Sequence, residues 1–313
     1  MRHSAEERHD DVIIKKQKSK NIMEQAKFKK AAEKHQVEYK TKNISSDYKV
    51  FADKTVKYWL TDEEGKKGKN YYNGFKIFEA VRDRYPNFDA MRDSNMLRSE
   101  HIPFNFFVPF KQNFEFCKQV FNDILGNVQS VDKIEIEYAP SPKENYLNDR
   151  TSFDAYIEYS HTDNSKGIIA IEVKYTEREY PLEKGSKQEK DINDEKGKYY
   201  SITKASGIYK PDVIDKLKTD LFRQVWRNHL LLECILLVDN EKFKHAHSLV
   251  FYPRDNEHFA EAGKEYSEML VDSKEKKFGI VTFENFIEKC RTNCPDNEFG
   301  SWIDYLQERY IIQ

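Results

Sequence analysis

The sequence predicts an α/β fold in which helices flank a mixed central sheet. Apolar residues follow a helical period up to about residue 125 and then alternate with polar residues at a period of two. Beyond that point, short β-favouring segments are separated by segments of helical period. Helices around a mixed sheet belong to the α/β or α+β class, and we predict the former with one catalytic-sized core.

Composition limits the class of protein. The 313 residues are 38% hydrophobic and 34% charged, and 19 Tyr and 21 Phe supply apolar bulk for a sizeable core. No run of about 18 apolar residues occurs, and the N-terminal MRHSAEERHDD lacks the apolar core of a signal peptide. The four cysteines are too scattered for a disulfide framework. We therefore expect a cytoplasmic protein that does not act at a membrane.

The first 45 residues differ in charge from the rest of the chain. Between Lys15 and Lys42 lie ten lysines and three acidic residues, with apolar residues at loose helical spacing. We predict a basic helical arm over residues 1–45 and a single domain over residues 46–313, whose N-terminal part is helical. Two interpretations of the arm stay open, contact with nucleic-acid phosphates or a solvated surface helix.

The first elements of the domain are predicted to be mainly helical. DYKVFADKTVKYWL and NYYNGFKIFEAVRDRYP alternate aromatic and charged residues, which we interpret as helices. EHIPFNFFVPF is dense in phenylalanine, and its rings either pack in the core or stack on nucleic-acid bases. NFEFCKQVFNDIL has helical spacing, whereas VDKIEIEYAP alternates as a strand does.

Two further strands follow that one. SFDAYIEYS and GIIAIEVKYT are separated by the turn-rich HTDNSKG, which predicts an antiparallel hairpin. Alternation places Asp154 on one face of the first strand, and Glu172 and Lys174 on one face of the second. The hairpin is expected to bring these three side chains together.

The rest of the chain alternates between helix and strand. TEREYPLEKGSKQEKDINDEKGKYY has 13 charged residues in 25 and no apolar period, which predicts a mobile surface loop. PDVIDKLKTDLFRQVWRNHLLLEC predicts a helix beginning at Pro211 and Asp212. Strands are predicted at CILLVDN, HSLVFYP and FGIVTF, and SWIDYLQERYI predicts a closing helix.

Glu-x-Lys at the end of GIIAIEVKY is the most informative motif. Its spacing alone is not specific, because the sequence contains it four times, beginning at Glu38, Glu64, Glu172 and Glu275. Only Glu172 follows an apolar run, so its strand is expected to be buried on both faces. Buried charges are unfavourable unless they are paired or bound to a metal. An edge strand with a solvated salt bridge is the alternative.

A divalent cation would relieve the repulsion between Asp154 and Glu172. Their carboxylates, with the carbonyl of Val173, are hard oxygen ligands, which favour Mg²⁺, or Mn²⁺, over zinc. Lys174 would then orient the attacking nucleophile and offset charge on a phosphate. The predicted chemistry is phosphodiester hydrolysis, while a structural charge cluster and a different chemistry stay open.

In sequence order, RTSFDAYIEY, a turn, GIIAIEVKYTE and FRQVWRNHLLLE resemble the PD-(D/E)xK nuclease superfamily, and within it a group of bacterial restriction endonucleases. The resemblance runs from about residue 97 to the C-terminus. It implies a restriction-endonuclease-like α/β/α core in which Asp154, Glu172 and Lys174 form the catalytic set. The segment before Asp154 lacks a proline, at a position that varies in the superfamily.

The resemblance also implies roles for residues outside the two strands. In related enzymes a helix before the sheet often adds a glutamate, and Glu100 in LRSEHIPFNFF stands at a suitable place. The helix after the catalytic strands often carries a glutamine and a basic residue that face the site, which Gln224 and Arg227 match. We expect Arg227 and Asn228 to bind nucleic acid, and His229 is a further candidate.

The expected function is that of a Mg²⁺-dependent DNA endonuclease, and the resemblance implies a role in restriction or antiviral defence. Two alternatives stay open, a catalytically silent nucleic-acid-binding or interaction module and a nuclease that acts on RNA. The intact catalytic set argues against the silent module. Because cutting both strands usually requires two active sites, we expect a homodimer or a partner defence protein.

Two other groups of metal-ligating residue types occur. His245 and His247 form a His-x-His with no evident third ligand, which argues against a metal site. Cys290 and Cys294 are four residues apart, but a zinc site would need two more ligands, so we predict ordinary thiols. No Gly-rich phosphate loop occurs, which argues against a built-in ATPase.

Overall fold

A five-stranded mixed sheet forms the centre of the fold and has helices on both faces. The computed structural model describes residues 5–52, 54–177, 181–271 and 277–312, and it describes side chains from residue 23 onward. The α-helices, in chain order, are α1 Ala5–Asn43, α2 Asp62–Lys66, α3 Ile77–Arg84, α4 Ala90–Asp93, α5 Ile102–Phe107, α6 Phe114–Leu125, α7 Lys187–Asn193, α8 Lys198–Ser206, α9 Ile214–Leu217, α10 Arg223–Val238, α11 Glu257–Glu268, α12 Phe283–Thr292 and α13 Asn297–Tyr310. Short 3-10 helices span Ser99–His101, Val108–Gln112 and Lys143–Asn145. The strands are β1 Lys49–Phe51, β2 Lys54–Val56, β3 Val128–Tyr138, β4 Phe153–His161, β5 Lys166–Val173, β6 His245–Tyr252 and β7 Phe278–Thr282.

The central sheet has the order β3-β4-β5-β6-β7. Strands β3, β4 and β5 pair antiparallel, whereas β5, β6 and β7 pair parallel. The parallel steps require long crossovers, which α7 to α10 and then α11 provide. The predicted hairpin is confirmed, with Ala155 opposite Ile171 and Glu158 opposite Ile168. The predicted α/β/α architecture around a mixed sheet is likewise confirmed.

Strand β5 is the middle strand and is buried on both faces. From Gly167 to Val173 every residue is buried. Ile169 and Ile171 pack into a core with α5, α6, α12 and α13, while Ile168 and Ala170 pack into a second core with α10 and α11. The alternative of an edge strand with a solvated salt bridge is therefore wrong.

The phenylalanine-rich segment belongs to the first core. Phe104, Phe106, Phe107 and Phe110 are each at most 1% exposed. The last three contact rings of α12 and α13, and Phe104 contacts the rings of Tyr71 and Tyr85. Buried rings cannot stack on a base, so the packing interpretation is confirmed.

The predicted strand at CILLVDN is wrong, because that segment is the second half of α10. No helix-breaking residue interrupts the leucine-rich run, and the helix continues to Val238. Its apolar residues pack on the sheet instead of joining it. The helix also begins later than predicted, since Asp212 has a φ of 62° and α9 ends at Leu217 before α10 begins.

Two more predictions are corrected. The charged segment after β5 contains α7 and α8 rather than only a loop, and Ile192 and Tyr199 anchor these helices in the second core. Ser186 caps α7 by accepting a hydrogen bond of 3.1 Å from the amide of Glu189. DYKVFADKTVKYWL forms the β1–β2 hairpin rather than a helix, and Ala52 between the strands has a φ of 51°, which lies outside the right-handed helical region.

Helix α1 covers most of the predicted arm and packs against α11 and α13. Phe28 and Ala32 are buried in the first core. Gln36 donates hydrogen bonds to the Tyr175 hydroxyl at 3.0 Å and to the Arg309 carbonyl at 2.7 Å. The division into residues 1–45 and 46–313 stays a prediction. Among the described helices, none is long and apolar enough to cross a membrane.

Candidate active site

A cleft of about 980 Å³ opens where β4 begins and β5 ends. It is bordered by α1, by the 3-10 helix at Ser99–His101, by the residues before β4 and by α10. The predicted site side chains all line it, namely Asp154, Glu172, Lys174, Glu100, Gln224, Arg227 and Asn228. One cavity thus contains the predicted set except Val173, which is not among its lining residues.

The hairpin register brings Asp154 and Glu172 together. Since Ala155 pairs with Ile171, the next residues outward, Asp154 and Glu172, lie opposite each other and share a face of the sheet. The amide of Val173 donates a hydrogen bond of 2.6 Å to Oδ2 of Asp154. Strand pairing and this hydrogen bond fix the Asp154 carboxylate against the end of β5.

Glu172 is held by two partners. Its Oε1 forms a salt bridge with Nζ of Lys174, and its Oε2 accepts a hydrogen bond from Nδ2 of Asn228 on α10. Glu172 and Lys174 are each 4% exposed and Asn228 is 6% exposed. A buried ion pair needs such additional hydrogen bonds to offset its desolvation. The end of β5 therefore presents an oriented carboxylate and ammonium group to the cleft.

Sequence reasoning missed a third acidic residue, Glu137. Ile136 pairs with Ala155 and Tyr138 with Phe153, so Glu137 lies opposite Asp154 on the side away from Glu172. Glu137 has a φ of 54°, an uncommon conformation for a residue other than glycine. Its Oε2 accepts a hydrogen bond of 3.2 Å from the Ser152 hydroxyl. Three acidic residues are thus aligned across three neighbouring strands.

Negative charge is in excess around Asp154, Glu172 and Glu137. Burial, and then the charges of Glu172 and Glu137, raise the pKa of Asp154 well above its ordinary value. Burial also raises the pKa of Glu137 to about 7, with a further contribution from the Glu172 charge. Lys174 supplies one compensating positive charge.

This donor set fits a divalent cation. The aligned carboxylates are hard oxygen ligands, and their mutual repulsion is what a cation relieves. Among the described residues, Oδ1 of Asn228 is buried without a hydrogen-bond partner, which leaves one more oxygen beside Glu172. The structure places Val173 with its amide on Asp154, and the metal-binding role of its carbonyl stays a prediction.

Glu100 and Gln224 lie on the walls of the cleft. The Glu100 carboxylate accepts a hydrogen bond of 2.6 Å from the Arg98 guanidinium, with which it forms a partly exposed salt bridge. Gln224 lies one helical turn before Asn228 on the same side of α10. The catalytic roles of both residues stay predictions.

Arg227 is anchored by internal contacts. Its guanidinium donates to Asp149 at 3.1 Å, to Thr151 at 2.8 Å and to the Tyr199 hydroxyl at 3.0 Å. Burial alone would raise the pKa of Asp149, but the Arg227 charge and the hydrogen bonds to the carboxylate lower it. Arg227 therefore ties α10 to the segment that leads into β4, and its contact with nucleic acid stays a prediction.

Two other candidates lie outside the cleft. His229 is fully buried on the opposite side of α10, where Nδ1 lies 3.2 Å from the Tyr266 hydroxyl. All four cysteines are free of disulfides, and Cys290 is buried in the first core, while ordinary thiols in place of a zinc site stay a prediction.

Comparison with known proteins agrees with the geometry. A family model described as the PD-(D/E)XK nuclease superfamily matches residues 18–312, which is nearly the whole chain. No curated protein and no solved structure matches the sequence. The match includes both strands of the hairpin, α10 and most of α1. The chain therefore belongs to the PD-(D/E)XK nuclease superfamily, whose members act on nucleic acids and generally use divalent metal ions.

Proposed function

We propose that this protein is a Mg²⁺-dependent endonuclease that hydrolyses phosphodiester bonds of DNA, and that it acts in restriction or antiviral defence. One observation carries the proposal: Asp154, Glu172 and Lys174 converge at the base of a single cleft, with Glu137 behind Asp154. Defence and DNA as the substrate rest on the resemblance to bacterial restriction endonucleases.

The residues divide the chemical work. Asp154 and Glu172 would hold Mg²⁺, or Mn²⁺, which supplies positive charge to the phosphate and to the attacking water. Lys174 orients that water and offsets the charge that develops on the phosphate oxygens. Asn228 and the Val173 amide hold the two carboxylates in place. These fixed contacts limit the rearrangement that the reaction requires.

The cleft also offers positive charge for the nucleic-acid backbone. Lys29 on α1, Arg98 and Arg150 line its walls around the acidic base. Basic side chains on the walls of a nuclease cleft can contact the phosphates on either side of the one that is cleaved. We infer that residues 1–45 act as a basic arm along the substrate and that residues 46–313 carry the catalytic unit. Cleavage of both strands would require a second copy or a partner defence protein.

The proposal is tested by incubating the purified protein with supercoiled plasmid in Mg²⁺, Mn²⁺ or EDTA. We expect nicked and linear products with either metal and none with EDTA. Glu172→Ala and Lys174→Ala should abolish cleavage, because each removes a group from the base of the cleft. Glu38→Ala is the matched control, since Glu38 belongs to another Glu-x-Lys but its side chain is 65% exposed. Cleavage that survives both active-site substitutions would overturn the assignment.

A parallel incubation with RNA of the same sequence separates the two polymers. Cleavage of RNA alone would move the substrate from DNA to RNA while leaving the active site intact. Calorimetric titration with Mn²⁺ distinguishes the silent module, for which we expect metal binding without cleavage of either polymer. The absence of both binding and cleavage would count against the metal site itself.

A further inference from the structure

A second cluster of ligand-type side chains lies at the other end of the β4–β5 hairpin. His161 is the last residue of β4, Asp163 lies in the turn between the strands, and His245 is the first residue of β6. His161 is seven residues from Asp154 along β4, which corresponds to roughly 23 Å. The cluster is therefore separate from the cleft.

The three side chains are close enough to share one ion. Nδ1 of His161 lies 3.1 Å from Oδ1 of Asp163, and Nε2 of His245 lies 3.0 Å from Oδ2. One ligand atom from each residue lies within 4.8 Å of the others. Ligands at 2.0 to 2.1 Å around a tetrahedral Zn²⁺ are separated by roughly 3.3 Å. The nitrogen-to-oxygen spacing is thus close to that of a tetrahedral site.

The sheet holds the two imidazoles in place. Their rings are stacked, with centroids 3.8 Å apart and an angle of 13° between the planes. The side chains of His161 and His245 are only 15% and 19% exposed, whereas that of Asp163 is 53% exposed. The cluster therefore has two largely buried nitrogen ligands and one oxygen ligand on the solvent side. Because the nitrogen lone pairs lie in the ring planes, one of the stacked imidazoles must rotate to direct its nitrogen at an ion shared with the other.

Asp163 is also fixed as a carboxylate. Its Oδ1 accepts hydrogen bonds of 2.5 Å from the Ser165 hydroxyl and 2.9 Å from the Ser165 amide. These hydrogen bonds hold the Asp163 carboxylate beside the two imidazoles.

Hydrogen bonding alone does not satisfy His161. Its Nδ1 lies 3.2 Å from the Asp163 amide, which donates, and 3.1 Å from the Asp163 carboxylate, which accepts. If Nδ1 carries no proton, it accepts a hydrogen bond from the amide, but its lone pair then lies near the negatively charged carboxylate. If Nδ1 is protonated, it donates to the carboxylate but can no longer accept from the amide. A cation between nitrogen and carboxylate removes that repulsion.

We propose that His161, Asp163 and His245 form a site for a transition-metal ion, with Zn²⁺ as the ion that this ligand set suits best. Two imidazole nitrogens and one carboxylate oxygen favour zinc or its neighbours over Mg²⁺. The fourth position is open to water. His247, which the sequence pairs with His245, lies farther along β6 with its ring 6.3 Å from that of Tyr159.

The bound ion would join the turn of the hairpin to the start of β6. His161 and His245 are 84 positions apart in the sequence, so a shared ion closes a long loop through α7 to α10. Such a link stabilises the folded chain and takes no part in phosphodiester hydrolysis. This site therefore goes beyond the proposed nuclease function.

The test measures Zn²⁺ binding to the full chain by competition with a chromophoric chelator, with Mg²⁺ in excess to occupy the carboxylate site. We expect one Zn²⁺ per chain. Asp163→Asn and His245→Asn should each weaken binding by roughly tenfold or more, because each removes one of three ligands. His247→Asn is the matched control on the same strand and should bind as the wild type does.

Co²⁺ gives a second readout. We expect visible absorption bands typical of four- or five-coordinate Co²⁺ in the wild type and in Glu172→Ala, and their loss in Asp163→Asn. Since Asp163 is exposed, that variant should fold, which circular dichroism verifies. A wild type without a Zn²⁺ site, or variants that bind Zn²⁺ as tightly as the wild type, would overturn the proposal. Loss of the bands in Glu172→Ala would place the ion in the cleft instead.

Discussion

The two ends of the β4–β5 hairpin differ in the ligands they present and in how those ligands are buried. At the cleft end, Asp154 and Glu172 are carboxylates enclosed by the sheet and by α10. At the turn end, His161 and His245 present nitrogens beside the exposed Asp163. The same strand pairing thus aligns oxygen ligands at one end and mixed ligands at the other.

The difference shows what burial contributes. At the cleft end, burial and then the charges of Glu172 and Glu137 raise the pKa of Asp154, so its ionised carboxylate is unfavourable there until a cation binds. At the turn end, solvent and hydrogen bonds from Ser165 stabilise Asp163 without any ion. We infer that the first arrangement suits catalysis and the second suits structural support.

The largest expected effect comes from testing Glu172→Gln and Asp163→Asn in both the plasmid-cleavage assay and the Zn²⁺-binding assay. Glu172→Gln should lower the rate of plasmid cleavage by roughly 10³-fold, because it removes a charged ligand, and should leave Zn²⁺ binding at the turn unchanged. Asp163→Asn should weaken Zn²⁺ binding at the turn and leave the rate of plasmid cleavage unchanged. Single-turnover cleavage and chelator competition measure the two effects. If either substitution changed both readouts to a similar extent, the two ends would not be independent.

Asn228 tests whether the cleft end needs a positioning residue. Asn228→Ala removes the hydrogen bond to Glu172, and a hydrogen bond to a charged group contributes about 1.5 to 3 kcal/mol. We expect kcat to fall by about tenfold or more with KM for plasmid unchanged. If Asn228 contacts nucleic acid, as the sequence predicts, KM should rise instead. Steady-state kinetics therefore distinguish the two roles.

Substitution of Glu137 tests whether the repulsion among the three acidic residues at the cleft end destabilises the fold while supporting cleavage. Glu137→Gln should lower cleavage by about tenfold and, in EDTA, raise the free energy of unfolding by about 1 kcal/mol, because one of three like charges is lost. Glu135→Gln is the matched control, since Glu135 lies on the same strand, is 40% exposed and pairs with Lys111. Denaturant unfolding and cleavage assays measure both effects. A free energy of unfolding lower than that of the wild type would contradict the prediction that Glu137 destabilises the fold by repulsion.

The sequence was sufficient for the parts of the fold that depend on local period. Alternation identified β3, β-favouring residues on either side of a turn identified the β4–β5 hairpin, and helical spacing identified α6. Apolar residues before Glu172 correctly predicted a strand buried on both faces. The same criterion failed at CILLVDN, because a run that is apolar throughout fits a buried strand or a buried helix equally well.

Sites that depend on strand register and sheet order could not be predicted. Alternation in VDKIEIEY directs Ile134 and Ile136 inward and therefore predicts a surface position for Glu137. Only the pairing of β3 with β4 shows that Glu137 lies opposite Asp154. His245 acquires its neighbours only because β6 lies beside β5, and that order is set by long-range packing. The residues that cluster with His245 are therefore His161 and Asp163, 84 and 82 positions away, and not its sequence neighbour His247.

The last expected effect concerns pH and the buried His229. Burial, with the charge of Lys277, lowers the pKa of His229 to about 3 from 6.5. Below pH 6.5 the unfolded chain takes up a proton that the folded chain refuses, so stability is full above about pH 6.5 and is lost as the pH falls toward 3. The groups packed around His229 are Tyr209, Glu233, Tyr266, Lys277 and Phe278.

The expected slope is about 1.4 kcal/mol per pH unit between pH 6 and pH 4, which corresponds to one proton. His229→Gln should flatten the pH dependence of the free energy of unfolding by that amount in urea titrations with EDTA present. Equal slopes in the wild type and in His229→Gln would show that the acid sensitivity of the fold arises elsewhere than at His229.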